Sequence, residues 1–107
     1  MLHVPILRAG RPYRSKDLVE LRDYAAGEPV AAVSQANPGL VSRDLRDDPW
    51  PALQAHRTGE ILRCFRIAAE RFMHADLPVD DRGQSPEEFV AAQSATTGLP
   101  HSLCRQN

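Results

Sequence analysis

The stretch GEPVAAVSQAN, residues 27–37, decides how the chain is read. Gly27 marks a turn, Glu28 to Ser34 reads as a strand, and Asn37 followed by Pro38 is a helix start, a capping side chain with proline in the first turn. On its N-terminal side Leu18, Glu20 and Arg22 alternate with Val19, Leu21 and Asp23. Leu18–Asp23 and Glu28–Ser34 are therefore the two arms of an antiparallel hairpin. Past Asn37 the apolar period changes from two to about 3.6, so a β-hairpin region over residues 1–36 precedes a helical region over 37–107. This predicts an α+β segment: an N-terminal antiparallel hairpin or ribbon followed by three to four α-helices, with no internal repeat or low-complexity tract.

Working outward, the apolar run Leu2 to Leu7 precedes a Gly10 and Pro12 turn signal and reads as a short strand that bends back. Pro5 lacks a backbone donor and confines that strand to an edge or a loose ribbon. Beyond Asn37 a short helix runs through Leu40, Val41 and Leu45, and Pro49 and Pro51 then force an irregular connection around Trp50. From Thr58 to about Ala75, Ile61, Phe65, Ala68 and Phe72 share one helical stripe, with Leu62, Ala69 and Met73 beside it. DLPVDDRGQ reads as a polar loop. SPEE, at Ser85–Glu88, is a helix start with a serine cap, a proline at the first position and a glutamate completing a capping box. That helix carries Phe89, Val90 and Ala92 and ends near Gly98, and LPHSLCRQN begins another helical pattern.

The 107 residues suffice for one domain, and 42% of them are hydrophobic, but many of these are alanine and only 6% are aromatic. Large side chains for an independent core are scarce, which points to a piece needing a partner surface. Thirteen basic residues against fourteen acidic ones, scattered along the chain, form no basic stripe for a nucleic acid. No apolar stretch approaches the roughly twenty residues that span a bilayer, and no signal-peptide h-region opens the chain, so the expected setting is cytoplasmic, without a membrane. Cys64 and Cys104 read as free thiols, Cys64 as a small buried hydrophobe within its helix.

Three stretches carry a resemblance. GEPVAAV at Gly27–Val33, ILRCFRIAAERF at Ile61–Phe72 and EEFVAAQSATTGLP at Glu87–Pro100 follow one another in the order and at spacings that resemble the N-terminal region of the aldehyde dehydrogenase superfamily. Two departures, the charged and proline-broken RDLRDDPWPALQAH and Thr96 where the family commonly has glutamate, resemble a divergent branch nearer the acyl-CoA reductase relatives. The resemblance implies an NAD(P)-dependent oxidoreductase of aldehydes or acyl-CoA thioesters, a homo-oligomer, of which this chain is a structural N-terminal layer. The nucleophilic cysteine, glutamate base, oxyanion asparagine and dinucleotide fold of that family lie beyond this region. The resemblance thus implies no catalytic or cofactor-binding residue here, with NAD or NADP held by the rest of a longer polypeptide.

Other site candidates are thin. His101 and Cys104 form an H-x-x-C pair, half a zinc site, but Cys64, His56 and His74 stand at no recognised ligand spacing. No metal ligand is assigned. Gly10, Gly27, Gly59, Gly83 and Gly98 are dispersed and build no phosphate cradle. RDLRDD reads as a solvated helix face, and neither thiol has a histidine and carboxylate at hand to activate it. The alternative to the oxidoreductase reading is a free-standing small α+β interaction domain that pairs with copies of itself through its hairpin edge or helix stripes.

Overall fold

The expected hairpin is present in the computed structural model, which describes residues 1–106. Asn107, the last residue of the expected helical region, lies outside the described residues. Strand β4 (Leu18–Arg22) pairs antiparallel with β5 (Pro29–Ser34), and Leu18 faces Ser34 across the ladder. The Asp23 carboxylate closes the turn by accepting from the Ala25 and Ala26 amides, both at 2.8 Å.

The first strand lies at an edge and bends back as expected, but it is divided in two. Pro5 divides it into β1 (Leu2–Val4) and β2 (Ile6–Arg8), and the halves go to different sheets. β1 runs parallel to β5 and makes a three-stranded sheet in the order β1-β5-β4. β2 turns through Ala9 and Gly10, both at positive φ, into β3 (Arg11–Tyr13) and forms a separate ribbon. Proline has no amide to donate and enforces a break where the sheets part.

The helical region holds five helices among the described residues rather than three to four. α1 (Pro38–Asp44) starts on Asn37, whose side chain accepts from the Leu40 amide at 2.8 Å. The connection around Trp50 is not irregular but a short helix, α2 (Trp50–Gln54), because its prolines fall at the helix start where no amide is needed. α3 (Thr58–His74) matches its expected span. The supposed polar loop is a second hairpin, β6 (Leu77–Val79) with β7 (Arg82–Gln84), turning at Asp80 and Asp81. The helical region is therefore interrupted by strands. Asp80 holds a left-handed backbone at φ 57°, which an aspartate tolerates better than most residues.

α4 (Pro86–Thr97) has the expected box: the Ser85 hydroxyl accepts from the Glu88 amide at 3.2 Å, and the Glu88 carboxylate accepts from the Ser85 amide at 2.8 Å. It ends on Gly98 at φ 74°, and the Tyr24 ring lies 3.1 Å from where a β-carbon would sit. The helix packs on β4 and β5, and the Tyr24 amide donates to the Ala95 carbonyl at 2.7 Å. α5 (His101–Gln106) lies against α4.

The core is small. Its buried apolar residues are Leu2, Ala31, Ala32, Leu40, Val90 and Cys104, joined by Ser34. Ala31 and Ala32 point to opposite faces of β5, so this central strand is covered on both sides.

Candidate functional site

Two features stand out from this frame, one apolar and one polar. The apolar one is α3. Its stripe from Ile61 to Phe72 was expected to be core, yet no residue of the helix is buried: Phe65 is 71% exposed and Leu62 61%. Only its last turn is anchored, by Phe72 meeting Phe89 of α4 edge-on at 5.1 Å between ring centroids. Below that contact, Phe72, Met73, Phe89, Val90 and Cys104 line an open cleft of about 220 Å³. The stripe fails as a core because Phe89 and Leu77 reach only part of it and leave Phe65 and Leu62 in solvent.

The global dimensions agree. The accessible surface is 8530 Å², whereas a compact monomer of this mass has about 6,000 Å². The Cα radius of gyration is 16.5 Å, against about 13 Å for a compact chain of this length. The excess surface, roughly 2,500 Å², is of the size that permanent interfaces bury.

The polar feature joins segments far apart in sequence. His3 on β1 lies with Nδ1 3.2 Å from the Asp80 carboxylate in the β6–β7 turn and Nε2 3.1 Å from the Ser34 hydroxyl on β5. Arg14 also donates to Asp80, and the Ser15 amide donates to the Ser34 oxygen at 3.1 Å. The Arg14 guanidinium holds the Asp80 carboxyl below the usual carboxylate range, partial desolvation opposes it, and His3 adds to the lowering. A proton on Nδ1 of His3 donates to the Asp80 carboxylate.

Serine, histidine and carboxylate stand here in the order of a hydrolytic relay. Ser34, however, is buried on the central strand, and its oxygen already accepts the Ser15 amide. A substrate carbonyl has no approach to it, so the cluster acts as a fastener between the sheet, the Arg14–Ser15 segment and the second hairpin. A similar pin joins β2 to α1: Arg8 donates to Asp44 through Nε at 2.7 Å, lies over the Tyr13 ring, and depresses the Asp44 carboxyl.

The residues weighed in the sequence are not brought together. Cys104 is buried in α5 with its sulfur 3.8 Å from the Leu99 carbonyl, while His101 on the same helix is exposed. Cys64 is exposed rather than buried, because its helix has no cover. His56 lies 3.8 Å from Glu60, and His74 closes α3 in solvent. Both thiols are free, and among the described residues no three histidine, cysteine or acidic side chains are grouped to hold a metal. No helix among them is long and apolar enough to cross a membrane. The fastener escaped the sequence reading because its members are 31 and 77 residues apart, with no local pattern linking them.

No family model, no curated protein and no solved structure matches the chain.

Proposed function

We propose that the chain is a framing layer of a larger NAD(P)-dependent oxidoreductase of the aldehyde dehydrogenase type, acting on an aldehyde or acyl-CoA and structural rather than catalytic by itself. The observation that carries the layer role is α3, a seventeen-residue amphipathic helix without one buried side chain. Such a face is the kind that packs against further polypeptide. The oxidoreductase class rests on the three stretches that carry the resemblance, which fall on β5, α3 and α4 in turn. Residues 1–106 do not themselves fit a dinucleotide: no glycine-rich turn opens a helix toward a phosphate, and no step of the chemistry is assigned to them. In this reading cofactor and nucleophile both belong to further polypeptide.

Calorimetric titration with NAD and NADP should show no saturable binding, and a hydrophobic dye should bind the isolated chain at the α3 face. Micromolar cofactor binding would overturn the structural role. A dye-silent chain would overturn the layer reading. The genomic frame beyond codon 107 tests the class: continuation into a glycine-rich dinucleotide-binding sequence supports it.

One observation favours the second reading, a free-standing small α+β interaction domain. β4 is an edge strand with all five residues exposed.

A further inference from the structure

β4 ends the sheet, and half of its backbone amides and carbonyls point away from β5 with no strand to receive them. The edge is also apolar, with Leu18, Val19 and Leu21 all exposed. Natural sheets usually blunt such an edge with charged side chains or proline. β4 carries one charge of each sign, Glu20 and Arg22, on the same face and 2.5 Å apart.

That alternation selects a partner. When two copies of a strand pair antiparallel about a two-fold axis, opposed residues share a face, so the axis passes through a residue. Three axes overlap three or more residues of β4. An axis through Val19 sets Glu20 opposite the second copy's Leu18 and leaves Arg22 beyond the overlap, so no charge meets its opposite. One through Glu20 sets the two Glu20 carboxylates face to face, and like charges opposed destabilise a ladder. An axis through Leu21 sets Glu20 opposite the second copy's Arg22 and Arg22 opposite its Glu20, with the two Leu21 side chains meeting on the axis. The strand is complementary to itself in this register.

We propose that the free edge of β4 pairs with β4 of a second copy of this chain, antiparallel about Leu21, making one continuous six-stranded sheet from two three-stranded ones. The inference rests on the open edge named under the second reading and does not need the oxidoreductase class.

Sedimentation of the full chain should show a dimer. Glu20→Arg or Arg22→Glu alone places like charges opposite each other and should weaken association about tenfold or more. The double exchange, E20R with R22E, restores opposite charges and should recover association to within about threefold of the parent. In a Cys64→Ser background Leu21→Cys should cross-link under mild oxidation, since opposed Cα atoms lie about 4.5–5.5 Å apart, within disulfide reach. Val19→Cys, offset from its own copy by four positions, should not. A monomeric parent chain, a dimer indifferent to E20R but lost on Phe65→Ser, or cross-linking through Val19 rather than Leu21 would each overturn the proposal. Dye binding on the same samples keeps the outcomes apart: a monomer that still binds dye sinks the β4 pairing and leaves the layer reading standing.

Discussion

β5 is an almost wholly apolar strand and α3 an amphipathic helix, and the strand is covered on both faces while no residue of the helix is buried. β5 has neighbours on each side, α4 on its sheet and a histidine fastener at its last residue. α3 touches α4 through Phe72 and Phe89. The pair teaches that an apolar stripe specifies a surface seeking cover but not which surface supplies it. Around β5 that surface comes from the same chain. Along α3 it does not.

The difference can be broken or sharpened by substitution. Leu40 is buried in α1, and Leu40→Ala should cost about 2–4 kcal/mol. Phe65→Ala on α3, a larger truncation, should stay within about 0.5 kcal/mol, because an exposed side chain gives up little on removal. Urea unfolding followed by far-UV circular dichroism compares the two directly. A loss at Phe65 as large as that at Leu40 would mean that the stripe is covered in the isolated chain.

A smaller effect is expected at Ser85. Ser85→Ala removes the acceptor for the Glu88 amide and should cost about 1 kcal/mol. Glu88→Gln should cost less, since the amide oxygen can still accept from the Ser85 backbone. An unchanged midpoint for Ser85→Ala with α4 still folded would show that the box adds nothing in this setting.

The smallest effect near neutrality concerns acid. Asp80, Asp44 and Glu88 all titrate below their ordinary values in the folded chain: Asp80 and Asp44 chiefly through hydrogen bonds from Arg14 and Arg8, Glu88 through the Ser85 amide. A carboxylate depressed on folding contributes stability above its unfolded pKa of about 4, lost as the pH falls through the folded value. The melting temperature should therefore be flat in these groups from pH 7 to about 5 and fall below about 4. Asp80→Asn should make the acid fall shallower, and an equally steep fall would assign the loss to other carboxylates.

What could be read from the sequence follows the range of the interactions. The β4–β5 hairpin, the Asn37 cap, the span of α3 and the Ser85 box with its Gly98 stop all depend on neighbours within a few residues, and alternation, helical period and capping chemistry report them. The parallel pairing of β1 with β5 and the His3 fastener join residues some thirty or more positions apart. No local pattern announces either. The β6–β7 hairpin was obscured for another reason. Its strands are three residues long, too short to show a period, and Asp80, Asp81 and Gly83 favour turns as readily as loops.

The bareness of α3 has a kinetic side. A helix of about a dozen to fifteen residues is marginal in water without tertiary support, and α3 with seventeen stands near that limit. Its N-terminal end is held by the Glu60 carboxylate, which accepts from the Arg57 amide at 2.7 Å, and Arg71 and His74 complement the dipole at the other end. In the proposed layer role the helix is thereby ordered before it is covered, and much of the entropy of docking is already spent. A polypeptide that docked on the stripe would meet a rod about 25 Å long, and its capture should be governed by encounter rather than by folding.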